Sequence, residues 1–210
     1  AHYFQQLQEC LVTPADAETD DESAAPLPLY VVVEKILESY ERLPEHWPVH
    51  GTTGYEFANL VNGLLINGAA EEQFDNIYAD FIGERIDFEE LLYQCKKLIM
   101  QSALASELNV LANQLSRIAS VDRHTQDYTL NGLRSALTEI VACFPVYRTY
   151  ITLAGIADED KRYIDWAVSV AQKRSQAADI TIFDFVRSVL LTTEAEGKSE
   201  SFRNLVFAFA

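Results

Sequence analysis

Glu34 is the residue whose type and place suggest chemistry. It follows Tyr30-Val-Val-Val33, an aromatic and β-branched run entered through Pro26 and Pro28, and such a run suits a short strand buried on both faces. Barrel enzymes place catalytic groups at the C-terminal ends of buried parallel strands, where an apolar wall can raise a carboxyl pKa and keep a transferable proton on it. General acid or base work is therefore what Glu34 offers. The plainer reading is a strand that ends on a charged residue paired with Lys35. Elsewhere the residue types offer less. Cys10, Cys95 and Cys143 fit neither a zinc spacing nor a CxxC redox motif, and free cysteines usually fill core space. The acidic run Glu18-Thr-Asp-Asp-Glu22 lacks the glycine-turned spacing of a calcium loop, so no metal is expected.

The wording of the chain around Glu34 is more specific than its chemistry. Val31-Val-Val-Glu-Lys-Ile-Leu37, Glu41-Arg-Leu-Pro44, Trp47-Pro48, Gly51-Thr-Thr-Gly-Tyr55 and Asn59-Leu-Val-Asn-Gly63 together resemble the maltooligosyltrehalose synthases of the α-amylase superfamily. Ala142-Cys-Phe-Pro-Val-Tyr-Arg-Thr-Tyr150 resembles a second block of the same family, in the same order. The similarity runs over nearly the whole chain, which would be an interior slice of a family enzyme several times longer.

The resemblance implies that the whole enzyme is a glucosylmutase. It turns the reducing-end α-1,4 bond of a maltooligosaccharide into an α,α-1,1 bond by retaining, intramolecular transfer, without a cofactor. Glu34 matches the family's general acid/base. The nucleophilic Asp would lie before the position matching Tyr3 and a stabilising Asp beyond that matching Ala210, so the segment alone is expected to be inactive. Trp47, His50 and Tyr55 flank the acid in sequence and are candidate sugar contacts, as are Tyr147 and Arg148 of the second block. Their bland roles are loop anchoring and, for the two tyrosines, partly buried rings.

The elements that must position these residues follow from pattern. Tyr3, Phe4, Leu7 and Leu11 give a short helix with one apolar face, and Thr13 to Ala25 reads as a solvated acidic linker. Pro44 and Pro48 fix a loop carrying His46, Trp47 and His50. Thr53-Gly-Tyr-Glu56 reads as a capping box ahead of Phe57, Leu60, Val61, Leu64 and Leu65. A helix through Phe74, Ile77, Tyr78 and Phe81 ends at Gly83. From Asp87 to Asp122 no Gly or Pro intervenes, which allows one central helix about 50 Å long, with a bend or break near Ser102 to Ser106. Its residues Leu91, Cys95, Leu98, Leu111 and Leu115 are expected to be buried. Further helices are expected over Thr129 to Cys143, from a cap at Asp158 to Ser175, over Ile182 to Leu191 and from Phe202 on, where Phe202, Phe207 and Phe209 look like a face awaiting a partner.

The fold class predicted is mainly α, a multi-helix bundle around one long central helix with at most one or two short strands from a (β/α) barrel. Residues 1–51 would be a barrel portion and 52–210 a helical insertion. A lone strand at Leu29 to Glu34 would leave its backbone groups unpaired, so it is expected to be irregular, to pair with another molecule or to join a helix, and Leu29 to Gly51 to be less ordered or differently folded than in a whole barrel. Composition agrees with a well-packed chain: 210 residues, 49% apolar, are enough for one good core. A net charge of −16 disfavours nucleic acid and anionic membrane surfaces. No apolar run approaches a membrane span and the opening Ala1-His-Tyr-Phe shows no basic segment ahead of an apolar one, so with the scattered cysteines a cytoplasmic setting is expected. The competing reading is an acidic helical scaffold for protein interactions, in which the Glu34 stretch is only a linker.

Overall fold

The computed structural model describes residues 2–11, 27–153, 155–175 and 179–210, so the predicted linker from Thr13 to Ala25 lies outside the described residues. The chain divides into two compact units, Ala1–Ile82 and Gly83–Ala210. Among the described residues there are nine α-helices and two strands of two residues each. The class is mainly α, as the periodicity predicts.

In the first unit, α1 (His2–Glu9) precedes a parallel pair formed by β1 (Val32–Val33) and β2 (Gly51–Thr52), registered Val32 to Gly51 and Val33 to Thr52. The expectation of a lone, unpaired strand is corrected here. The segment from Glu34 to His50 is the long crossover that parallel strands require, and it returns the chain to pair with β1. The strand is also not buried on both faces: Val33 is half-buried and Val32 exposed. After it come α2 (Tyr55–Leu64) and α3 (Glu71–Ile82), the latter closed by Gly83 at φ +81°, the left-handed conformation of a helix-ending glycine. Neither α2 nor α3 buries a residue, and Leu64, Leu65 and Phe81 are among the most exposed apolar side chains of the chain.

The second unit is a helical bundle. Asp87 caps α4 (Phe88–Gln101) by accepting from Glu90 N at 2.8 Å. The helix expected over Asp87 to Asp122 breaks after Gln101, at the Ser102 to Ser106 stretch where the sequence allowed a bend or break. Ser102 turns its hydroxyl back onto the Leu98 carbonyl at 2.7 Å, and the Leu104 amide reaches Ile99 O at 3.0 Å. Such local side-chain bonding competes with helix continuation, and α5 (Ala105–Ala119) starts afresh.

The stripe chosen for burial on α4 is also corrected. Leu91, Cys95 and Leu98 are exposed, Leu98 at 62%, while Tyr93 and Met100 are buried with Lys97 between them. The two sets are offset by two residues, about 200° around the helix, so α4 packs on its mixed polar side. On α5 the expectation fares better, with Leu115 fully buried and Leu111 half-buried against the core.

The centre of the bundle is α6 (Leu130–Ala142), which packs against α4, α5, α7 and α8. Thr129 caps it, accepting from Gly132 N at 3.1 Å. On α7 (Asp158–Arg174), Ala167 and Ala171 are wholly buried, and such small residues let helices approach closely. The cap residue is Ala157 and not Asp158, which is the first helical residue; the acidic first turn and Lys173 and Arg174 in the last still match the helix dipole. Phe183, Val186 and Val189 of α8 (Thr181–Leu190) complete the interior. The last helix, α9 (Glu200–Phe209), is capped by Ser199 and inserts Phe202 and Val206 into this core, with Phe207 and Phe209 packed against it. Phe202 is thus a core residue, and Phe207 and Phe209 are partly buried against the core, where an open face was expected.

Candidate active site

The site in the first unit is built by backbone pairing. The β1–β2 ladder is extended at both ends: His50 N donates to Val31 O at 2.8 Å and Thr53 N to Val33 O at 3.0 Å. Val33 O also accepts from Lys35 N at 3.1 Å, so Glu34 sits at the apex of a three-residue turn just past β1. On the neighbouring strand the chain leaves β2 through Gly54, which caps α2 at φ +102°, a left-handed conformation that glycine adopts without strain. Tyr55 is thereby the first residue of α2. Its phenol donates to Glu34 Oε1 at 3.1 Å.

The predicted capping box is displaced by one residue. The pair is Thr52, whose hydroxyl donates to Glu56 Oε2, and Thr52 Oγ1 also accepts from Gly54 N at 3.3 Å. The helix itself has no side-chain cap. This bond to Thr52 is the main reason the Glu56 carboxyl is held below its usual range.

Each sequence-predicted residue has a definite place. Glu34 and Tyr55 are brought together, both facing solvent, and Tyr55 is 40% exposed. The Tyr55 pKa is raised, first by its hydrogen bond to Glu34, then by repulsion between that carboxylate and a phenolate, and last by desolvation. Tyr55 is thus a donor throughout the neutral range. Lys35 forms an ion pair with Glu41 in the crossover. Trp47 is half-buried with its ring 5.3 Å from that of Phe4, and His50 lies 4.8 Å from the Tyr30 ring while its Nδ1 accepts from Val31 N at 3.3 Å.

Tyr147 and Arg148 belong to the second unit. Tyr147 is 93% exposed, and the Arg148 guanidinium lies over the Tyr150 ring at 4.7 Å. Their segment is pinned by buried Asp160, which accepts from Tyr150 N at 3.2 Å. Cys10 and Cys95 are exposed and only Cys143 is half-buried, which corrects the core role expected of all three; burial raises the Cys143 thiol pKa.

One residue that positions the site is silent in a reading for chemistry. Gln8 is buried, and its amide donates to Leu29 O at 3.0 Å and Pro48 O at 3.1 Å while its Oε1 accepts from Leu29 N at 2.9 Å. It ties α1 to the approach of β1 and to the loop before β2. Its signal is positional: Gln8 lies four residues after Phe4, on the apolar stripe of α1. Among the described residues no group of three or more His, Cys, Asp or Glu is placed to hold a metal ion, and no helix is long and apolar enough to cross a membrane.

No family model matches the chain, and no curated protein matches it in sequence. Solved structures do. The maltooligosyltrehalose synthase from Arthrobacter ramosus matches with a TM-score of 0.68 and 25% identity over 99% of this chain. A point variant of that enzyme matches with a TM-score of 0.67 at 25% identity, and a glycosyltrehalose synthase with 0.56 at 23%. This chain spans 22% of the length of the Arthrobacter ramosus enzyme. The resemblance carried by the two sequence blocks therefore extends to the fold, and over 99% of its length this chain is similar to a part of maltooligosyltrehalose synthase.

Proposed function

We propose that this chain is the part of a trehalose-forming glucosylmutase that supplies its general acid/base, Glu34. The observation that carries the reading is the coincidence of the two family-like blocks with a structural likeness at 25% identity over 99% of the chain. In this reading residues 1–51 descend from a barrel and 52–210 from a helical insertion in it.

Retaining transfer needs two carboxyl groups about 5 to 5.5 Å apart. Glu34 gives its proton to the glycosidic oxygen as the C1–O bond breaks, and a carboxylate from elsewhere in the whole enzyme takes C1 as an ester. The released glucose then presents its own anomeric hydroxyl, Glu34 removes that proton, and the α,α-1,1 bond forms with net retention. Trp47, His50, Tyr147 and Arg148 are proposed sugar contacts.

The isolated chain should not convert maltopentaose, since proton transfer alone contributes only about 10²- to 10⁴-fold. In the full-length enzyme, Glu34→Gln should lower formation of the non-reducing product by roughly a thousandfold or more. Loss of reducing sugar measures this directly, and near-normal turnover in the variant would mean that Glu34 is not the acid.

A further inference from the structure

We propose that Tyr55 is a positioning residue for the proton that Glu34 transfers; this rests on the reading of Glu34 as the general acid/base. The two side chains leave the backbone just past the ends of two paired strands. Glu34 stands at the turn that ends β1, and Tyr55 begins the helix that follows β2. Their separation is set by bonds that neither side chain makes: the pairing of Val33 with Thr52, the Thr53 amide on the Val33 carbonyl, and the Thr52 contacts to Gly54 and Glu56. The 3.1 Å contact between phenol and carboxylate is thus a product of the local fold and does not require substrate to assemble it.

The consequence for proton transfer follows from the valence of a carboxyl group. A phenol that donates to Oε1 occupies an acceptor site there, so the proton of the acid form resides on Oε2, the oxygen left free for the sugar. As the C1–O bond breaks, that proton moves from Oε2 to the departing oxygen, and the Tyr55 proton stays where it is. The Tyr55 bond then becomes charge-assisted and strengthens as the carboxylate forms. An interaction that is stronger after proton transfer than before it lowers the barrier to that transfer. In the return step the same bond holds the carboxylate so that Oε2 accepts the proton of the incoming hydroxyl.

The alternative role, a ring against which a sugar packs, makes different demands. Tyr55→Phe keeps the ring and removes only the hydroxyl, and the full-length enzyme carrying it can be compared on two substrates. Maltopentaose has a leaving group that needs a proton. α-Maltosyl fluoride has one that leaves without it. Positioning of the acid predicts that kcat on maltopentaose falls by about 10- to 100-fold, with KM nearly unchanged and with fluoride release in the first turnover close to the parent rate. A loss of similar size on both substrates, a change in KM alone, or no loss on either would overturn the proposal. Glu34→Gln is the control: it should slow maltopentaose far more than the fluoride. If Glu34→Gln slows both equally, the assignment of the acid itself fails; if that control behaves and Tyr55→Phe shows no such selectivity, only the role of Tyr55 fails. Because the hydroxyl is exposed, the thermal midpoint of Tyr55→Phe should match the parent.

Discussion

A single amide side chain does much to define the first unit. Gln8 makes three hydrogen bonds to backbone groups, two of them on Leu29, at the entrance to β1. Leaving buried backbone donors and acceptors unpaired costs about 1 to 3 kcal/mol. Gln8→Ala should therefore destabilise this unit by about that amount, with faster hydrogen exchange at the Leu29 amide; unchanged protection at Leu29 would show that the clamp is dispensable. Glu34 is legible in the sequence because a strand run that ends on an acid is a local pattern. Gln8 is not, because a polar residue on an apolar stripe looks like surface until its distant partners are known. The Thr53 cap failed for a different reason. A left-handed Gly54 takes the cap position, and Thr52 then becomes the hydroxyl that reaches Glu56.

Helices are legible as elements, but their packing faces are less so. Periodicity shows that α2, α3 and α4 each have an apolar side and says nothing of what covers it; α4 packs instead through Tyr93, Lys97 and Met100, because Glu139 of α6 offers partners to the two polar members. Tyr93 donates to Glu139 Oε2 and Lys97 donates to Oε1 at 2.6 Å. Burial is the first cause of the raised Tyr93 pKa, and the bond to Glu139 adds to it. The join between α6 and α8 offers a test of packing at this scale. A Cβ on Gly132 would stand 3.1 Å from Thr129 Oγ1 and 3.2 Å from Ile182 Cδ1. Both distances are tight, and Ile182 is buried. Gly132→Ala should gain up to about 1 kcal/mol of helix propensity but lose more, about 1 to 3 kcal/mol, to overpacking. Ile182→Val, which removes the Cδ1 atom, should restore part of that loss, so the double variant will be more stable in urea than the sum of the two single changes. Strict additivity would mean that the contact with Ile182 is not the obstacle.

At the scale of the whole molecule, the mainly α class was legible because Gly and Pro are sparse after Gly83 and apolar residues recur there at helical spacing. The parallel pairing of β1 with β2 was not, since Gly51-Thr52 carries no strand signal of its own and gains its extended form from the partner it meets across a long crossover. The burial of Phe202 on α9 was missed for the same reason, the residue being judged without the core that receives it.

The exposed sides of α2 and α3 give the chain a colloidal character. Their apolar residues are interspersed in sequence with Glu56, Glu71, Glu72, Asp75 and Asp80, and the chain as a whole carries a net charge of −16. Mutual repulsion at neutral pH opposes the meeting of these faces between molecules, although salt limits its reach to about 8 to 10 Å. Near the isoelectric point, about 4.5, that opposition vanishes while apolar attraction remains. Dynamic light scattering should therefore report growing particles as the pH of a dilute solution falls toward 4.5, and Leu64→Ser with Phe81→Ser should suppress the growth; equal growth in the parent and the double variant would place the sticky surface elsewhere. Glu56, whose proton affinity is reduced by its bond to Thr52, should keep its charge to a lower pH than an ordinary glutamate does. The tie that organises the start of α2 would then also delay the point at which its neighbouring face turns adhesive.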